Sequence, residues 1–70
     1  MTDISEPLEF WRKTRTCEVT SMSPATVDRA VAEGKFPKPV RISRNRVAWV
    51  AAEVQGWMAE RLSERNAVAA

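Results

Sequence analysis

No histidine occurs anywhere in the 70 residues of this chain, and cysteine occurs once, as Cys17. Without histidine and with a single thiol there is no ligand set for a zinc finger, no internal disulfide and no base to activate the cysteine. A lone thiol fits a reducing cytoplasm. The two glycines, Gly34 and Gly56, form no phosphate-cradling loop. No catalytic constellation is left, so an enzyme is not expected, nor a metal, nor a cofactor. No apolar run approaches the ~18 residues of a membrane helix, and no membrane partner is expected. The opening "MTDISEPLEF" is acidic and lacks the basic start of a secretory leader.

What is present is unevenly placed. Eleven Lys and Arg against nine Asp and Glu give a formal charge of only +2. Yet residues 1–9 carry three acids and no base, whereas residues 35–46 carry Lys35, Lys38, Arg41, Arg44 and Arg46 and no acid. A one-signed strip of this kind attracts polyanions. The chain is long enough for one small domain. Its core must come from three tryptophans, two phenylalanines and the valines.

The segments read in order as follows. Residues 1–9 form a flexible acidic arm, after which Phe10 and Trp11 tuck back against the domain. "TRTCEVT", residues 14–20, is a short first helix, with Thr14 as its cap and Thr16, Val19 and Cys17 turned inward. "SPATVDRAVAEG" gives a second helix over about 24–33. Ser23 caps it, Pro24 takes the first position, Val27, Ala30 and Val31 make an apolar face, and Gly34 ends it. Pro37 and Pro39 exclude helix from "KFPKPV", where Phe36 is an anchor. "VRISRNRVAWV" alternates as a hairpin over 40–49, with Val40, Ile42, Val47 and Trp49 inward and the arginines outward. A last helix spans about 51–64, with a weak cap. Val54, Trp57, Met58, Arg61 and Leu62 lie on one side, and Gly56 suits close approach by another element. Residues 65–70 are expected to fray.

The tight turn "TSMS" between the first two helices permits a helix-turn-helix. In that arrangement the start of the second helix enters the DNA major groove. The candidate reading residues are Ser23, Pro24, Ala25, Thr26, Asp28 and Arg29. Pro24, Ala25 and Thr26 are small enough to allow close approach, and the positive end of the helix at Ser23 attracts phosphate. Thr26 offers a hydroxyl and a methyl, Arg29 reaches guanine or phosphate, and Asp28 accepts from cytosine or pairs with a nearby arginine. The basic hairpin beside it reads as a wing on the backbone or in the minor groove, through Lys35, Lys38, Arg41, Arg44, Asn45 and Arg46. The fold class is therefore mostly α with a small β-hairpin, a winged helix-turn-helix over residues 10–64.

"SPATVDR", "GKFPKPV", Trp49 and "EVQGW" together resemble the AlpA-like phage and prophage regulators, over about residues 14–62. The resemblance implies a MerR-like or excisionase-like winged helix and sequence-specific binding of double-stranded DNA in transcription regulation. It puts Ser23, Thr26 and Arg29 on the recognition helix, Arg44 to Arg46 on the wing tip, and Phe36, Trp49 and Trp57 in the core. The family pattern often has glycine where this chain has Ser21, and tyrosine where it has Asp28. Two other readings stay open. One is an excisionase-like architectural factor that bends DNA beside an integrase; the other is a protein-interaction module without DNA binding. Self-association on tandem or palindromic sites, through Trp11 or the last helix, and contact with an integrase or another DNA-bound protein also stay open. A cytoplasmic, nucleoid-associated bacterial protein is implied.

Overall fold

A computed structural model describes residues 8–69. The acidic arm lies outside them except for Leu8 and Glu9, as does residue 70 of the tail. The elements run β1 (Phe10–Trp11), α1 (Lys13–Thr20), α2 (Pro24–Ala32), β2 (Val40–Ser43), β3 (Arg46–Val50) and α3 (Ala51–Ala69). The architecture is a winged helix-turn-helix: three helices and a small antiparallel sheet in the order β1-β3-β2.

α1 begins one residue earlier than the threonine pattern predicts. Arg12, not Thr14, occupies the cap position, and no side chain bonds the first turn. A helix with neither cap nor strong propensity depends on packing. Thr16 is fully buried, and Cys17 and Val19 pack on the core. α1 ends at Ser21, which adopts the left-handed conformation at φ 62° and ψ 29°. The amides of Ser21 and Met22 both reach the Cys17 carbonyl. Glycine enters that conformation without strain, whereas here a serine is held in it.

α2 follows its local signals closely. Ser23 Oγ accepts from the Thr26 amide at 3.2 Å, and Pro24 opens the helix. The end is a Schellman motif. Gly34 has φ +73°, its amide reaches the Val31 carbonyl at 3.1 Å, and the Lys35 amide reaches the Ala30 carbonyl at 2.8 Å. Val27 is completely buried on the inner face.

The proline loop after α2 is held by indoles. Trp49 Nε1 donates to the Pro37 carbonyl at 2.8 Å and Trp57 Nε1 to the Lys35 carbonyl at 2.7 Å. Phe36 is buried between these rings, edge-on to both, at centroid distances of 6.4 and 4.9 Å. A loop that cannot form ladder bonds thereby gains partners for two carbonyls.

Only a hairpin is legible in the sequence, but Phe10 and Trp11 add a third strand, pairing with Val50 and Trp49 respectively. Two residues are too short for a period-two pattern. Trp11 is buried on the Trp49 side, so it is not available as the self-association surface considered above. β1 also serves α3. The Glu9 carbonyl accepts the Ala51 amide at 2.8 Å, supplying an acceptor that "VAA" lacks.

The expected in–out pattern of the hairpin requires correction. Of its residues only Ala48 and Trp49 are buried, whereas Val40, Ile42 and Val47 are exposed, Ile42 and Val47 each by 47%. Val40 pairs with Ala48 and Arg41 with Val47, and the register then shifts before Ser43. Partners share a face, so Arg41 shares the side of Val47 and Trp49. The hairpin simply extends past the body, and its outer half has no core to face.

α3 runs through Ala69, beyond both the expected helix end and the start of the expected frayed tail. Val54 is buried and Trp57 and Met58 pack on the core, but Leu62 is exposed. The Arg61 guanidinium lies 5.2 Å from the Trp57 ring centroid and bonds Glu64 at 2.8 Å. Gly56 is not a point of close approach: a Cβ added there meets nothing within 4 Å.

Candidate nucleic-acid interface

The start of α2 is exposed at Ser23, Pro24 and Ala25, with Thr26 half-buried. Ser23 Oγ and Thr26 Oγ1 are 2.8 Å apart. Each hydroxyl has bonding capacity beyond that contact. Asp28 meets Lys13 of α1 at 2.7 Å, both side chains being substantially exposed. The partner of Asp28 is therefore not the expected arginine but a lysine fifteen residues earlier, which the docking of α1 against α2 brings into reach, and its negative charge is locally balanced. Arg29, one turn after Ala25, is exposed.

The basic strip divides into two groups. Lys35 lies 3.5 Å from Glu33. Together with Lys38 it lines an open cleft of about 660 Å³ between the proline loop and α3, across which stand Glu53 and Glu60. The lysines thus share their surroundings with carboxylates. The arginines do not. Arg41, Arg44 and Arg46 project from the hairpin, with Arg44 and Asn45 forming its turn, and all are exposed. Among the described residues no carboxylate lies within ion-pair distance of Arg29, Arg41, Arg44 or Arg46. Such unpaired, solvated guanidiniums are suited to phosphate and to guanine edges.

Two basic residues escaped the sequence reading. Lys13 neutralises Asp28, and Arg12 borders the outer half of the hairpin beside Arg46. Both belong to the basic run 12–15, which a search for charge clusters finds, but their positions depend on β1 and α1 docking. Arg15 is differently employed, 5.6 Å from the centroid of the Trp11 ring. Among the described residues no group of three His, Cys, Asp or Glu is placed to hold a metal, and no helix is long and apolar enough to cross a membrane.

A protein of Enterobacteria phage P4, described as uncharacterized protein ORF88, is 32% identical over 57 residues, covering 81% of this chain and 65% of that protein. The chain thus spans just under two thirds of that relative's length. No solved structure matches. The family model described as prophage CP4-57 regulatory protein (AlpA) matches residues 9–62, from the first described strand to the exposed part of α3. The chain belongs to the AlpA family of prophage regulatory proteins.

Proposed function

We propose that this chain binds double-stranded DNA sequence-specifically as a small prophage-type transcription regulator. The start of α2 enters the major groove, and the hairpin lies along the backbone or in the minor groove. The observation that carries this reading is the set of exposed arginines, Arg29 on α2 and Arg41, Arg44 and Arg46 on the hairpin. None of them has a carboxylate partner among the described residues. Membership of a regulatory family supports it. Thr26 and Arg29 carry base recognition, Ser23, Pro24 and Ala25 allow approach, and Asp28 is held back by Lys13. Asn45 and the wing arginines grip the strand, with Lys35 and Lys38 in a lesser role because Glu53 and Glu60 stand near them. The protein so described works in the cytoplasm, on the chromosome.

Selection of bound sequences from random duplex DNA tests the proposal, with the unaltered protein, Arg29→Ala and Arg44→Ala compared. Arg29→Ala should lose preference at one position, by about 1–3 kcal/mol. Arg44→Ala should weaken all sequences alike and reduce the salt slope by about one. No enrichment by the unaltered protein, or identical behaviour of all three, overturns the reading.

A further inference from the structure

Where the outer half of the hairpin meets the chain between β1 and α1 lies a hollow of about 180 Å³, lined by Phe10, Arg12, Ile42, Arg46, Val47 and Ala48. Its floor is apolar and its two charged members are both arginines. Phe10, Ile42 and Val47 are each close to half exposed. Among the described residues neither Arg12 nor Arg46 has an ion-pair partner. Three elements form the hollow: β1 with the start of α1, β2 and β3. Its position follows from the fold, because β1 pairs with the body end of β3 and so brings Arg12 alongside the hairpin. Arg12 also adjoins Lys13, whose ammonium holds Asp28 of α2.

We infer that this hollow seats one stretch of DNA sugar–phosphate backbone, next to the segment gripped by the wing arginines. This rests on the DNA-binding reading above and adds to it Arg12 and the apolar floor. A deoxyribose offers a carbon-rich surface, flanked on either side by anionic phosphate. The hollow offers the complement, an apolar floor with two arginines in its lining. The chain contains no acid between Glu33 and Glu53, so β2 and β3 extend the same positive field from the hollow to the hairpin turn. That continuity favours nucleic acid over an acidic protein segment. A second copy stacked on the same face is disfavoured, because its own Arg12 and Arg46 would meet their equivalents.

Equilibrium binding to a duplex selected by the unaltered protein, measured across a salt series, tests the inference with Arg12→Gln, Arg12→Lys and Ile42→Ser. Arg12→Gln should lower the slope of log affinity against log salt by about one, on matched and unmatched sequences alike. Arg12→Lys should keep the slope, which a purely structural role for the arginine does not predict. Ile42→Ser should weaken binding by about threefold or more at unchanged slope, since it removes apolar contact and no charge. Arg12 makes no side-chain hydrogen bond or ion pair among the described residues, so its variants should melt as the parent does. Unaltered affinity and slope in both Arg12→Gln and Ile42→Ser, with the parent still binding, overturn the hollow alone and leave the DNA-binding reading in place. Failure of the parent to bind any duplex overturns both.

Discussion

The two ends of β3 belong to different environments. At its body end Ala48 and Trp49 are buried, and Trp49 joins Val27, Phe36 and Val54 in the core. Toward the hairpin turn, every residue from Val40 through Val47 is exposed. The body is fixed by tight packing and by two indole N–H groups bonded to loop carbonyls. Among the described residues the wing is held chiefly by its two-stranded ladder. The contrast teaches that stability and surface charge divide along a single strand, so that substitutions three residues apart should alter different properties.

The sharpest way to break this division is at Trp49. Trp49→Ala removes the largest fully buried side chain and the partner of the Pro37 carbonyl. Large aromatic truncations in cores cost about 3–5 kcal/mol. A domain of this size has roughly that much stability in total, with 3–5 kcal/mol a typical ceiling for so small a core. Loss of cooperative thermal melting, followed by circular dichroism, is the expected result. A cooperative transition close to the parent's would show that the core does not depend on this residue. Arg44→Ala is the matching change at the hairpin turn. Its stability should stay within about 0.5 kcal/mol of the parent, as for ordinary surface positions, while affinity for DNA falls. A large loss of stability there would mean that the wing tip supports the body after all.

How much of this was readable from the sequence depended on the range of the interactions. α2 was legible because its signals are local: Ser23 and Thr26 are three residues apart, and Gly34 closes on Val31. Phe36 as an anchor, Trp49 by alternation and Trp57 by helical spacing are legible from the residues, the family resemblance adds their place in the core, and the structure puts them together. β1 was illegible, since two residues carry no period and their partners lie some forty residues later. The faces of the hairpin were misread because alternation says which residues share a side, not whether that side meets a core. Of the candidate interface, the arginines of the wing were evident from composition. Arg12 was not, because its position beside Arg46 is created by β1. The partner of Asp28 was equally hidden, as Lys13 reaches it through the docking of α1 against α2.

A smaller effect separates α3 from the rest of the body. Glycine within a helix lowers stability by about 0.5–1 kcal/mol relative to alanine. Gly56 occupies such a position, with open space where a Cβ would project. Gly56→Ala should therefore raise stability by about that amount, measured as the denaturation midpoint at unchanged slope. A decrease would show that something does approach Gly56, which would make the cleft beside it an occupied surface in solution.

The smallest expected effect concerns the junction of body and interface. Lys13 and Asp28 join α1 to α2 at 2.7 Å, yet their side chains remain 39% and 61% exposed. Water and salt screen a pair so placed, and exposed pairs contribute about 0.2–1 kcal/mol. A double-mutant cycle of Lys13→Ala and Asp28→Ala should give a coupling energy in that range, declining with added salt. The same cycle measured on DNA affinity should behave differently. Lys13→Ala leaves Asp28 without its cation beside the proposed groove-reading surface, so it should weaken binding more in the parent background than in Asp28→Ala. If the pair served only to tie two helices together, its coupling would appear in melting and vanish from binding. The comparison therefore tells whether Lys13 belongs to the body alone or also tunes the charge that α2 presents to the duplex.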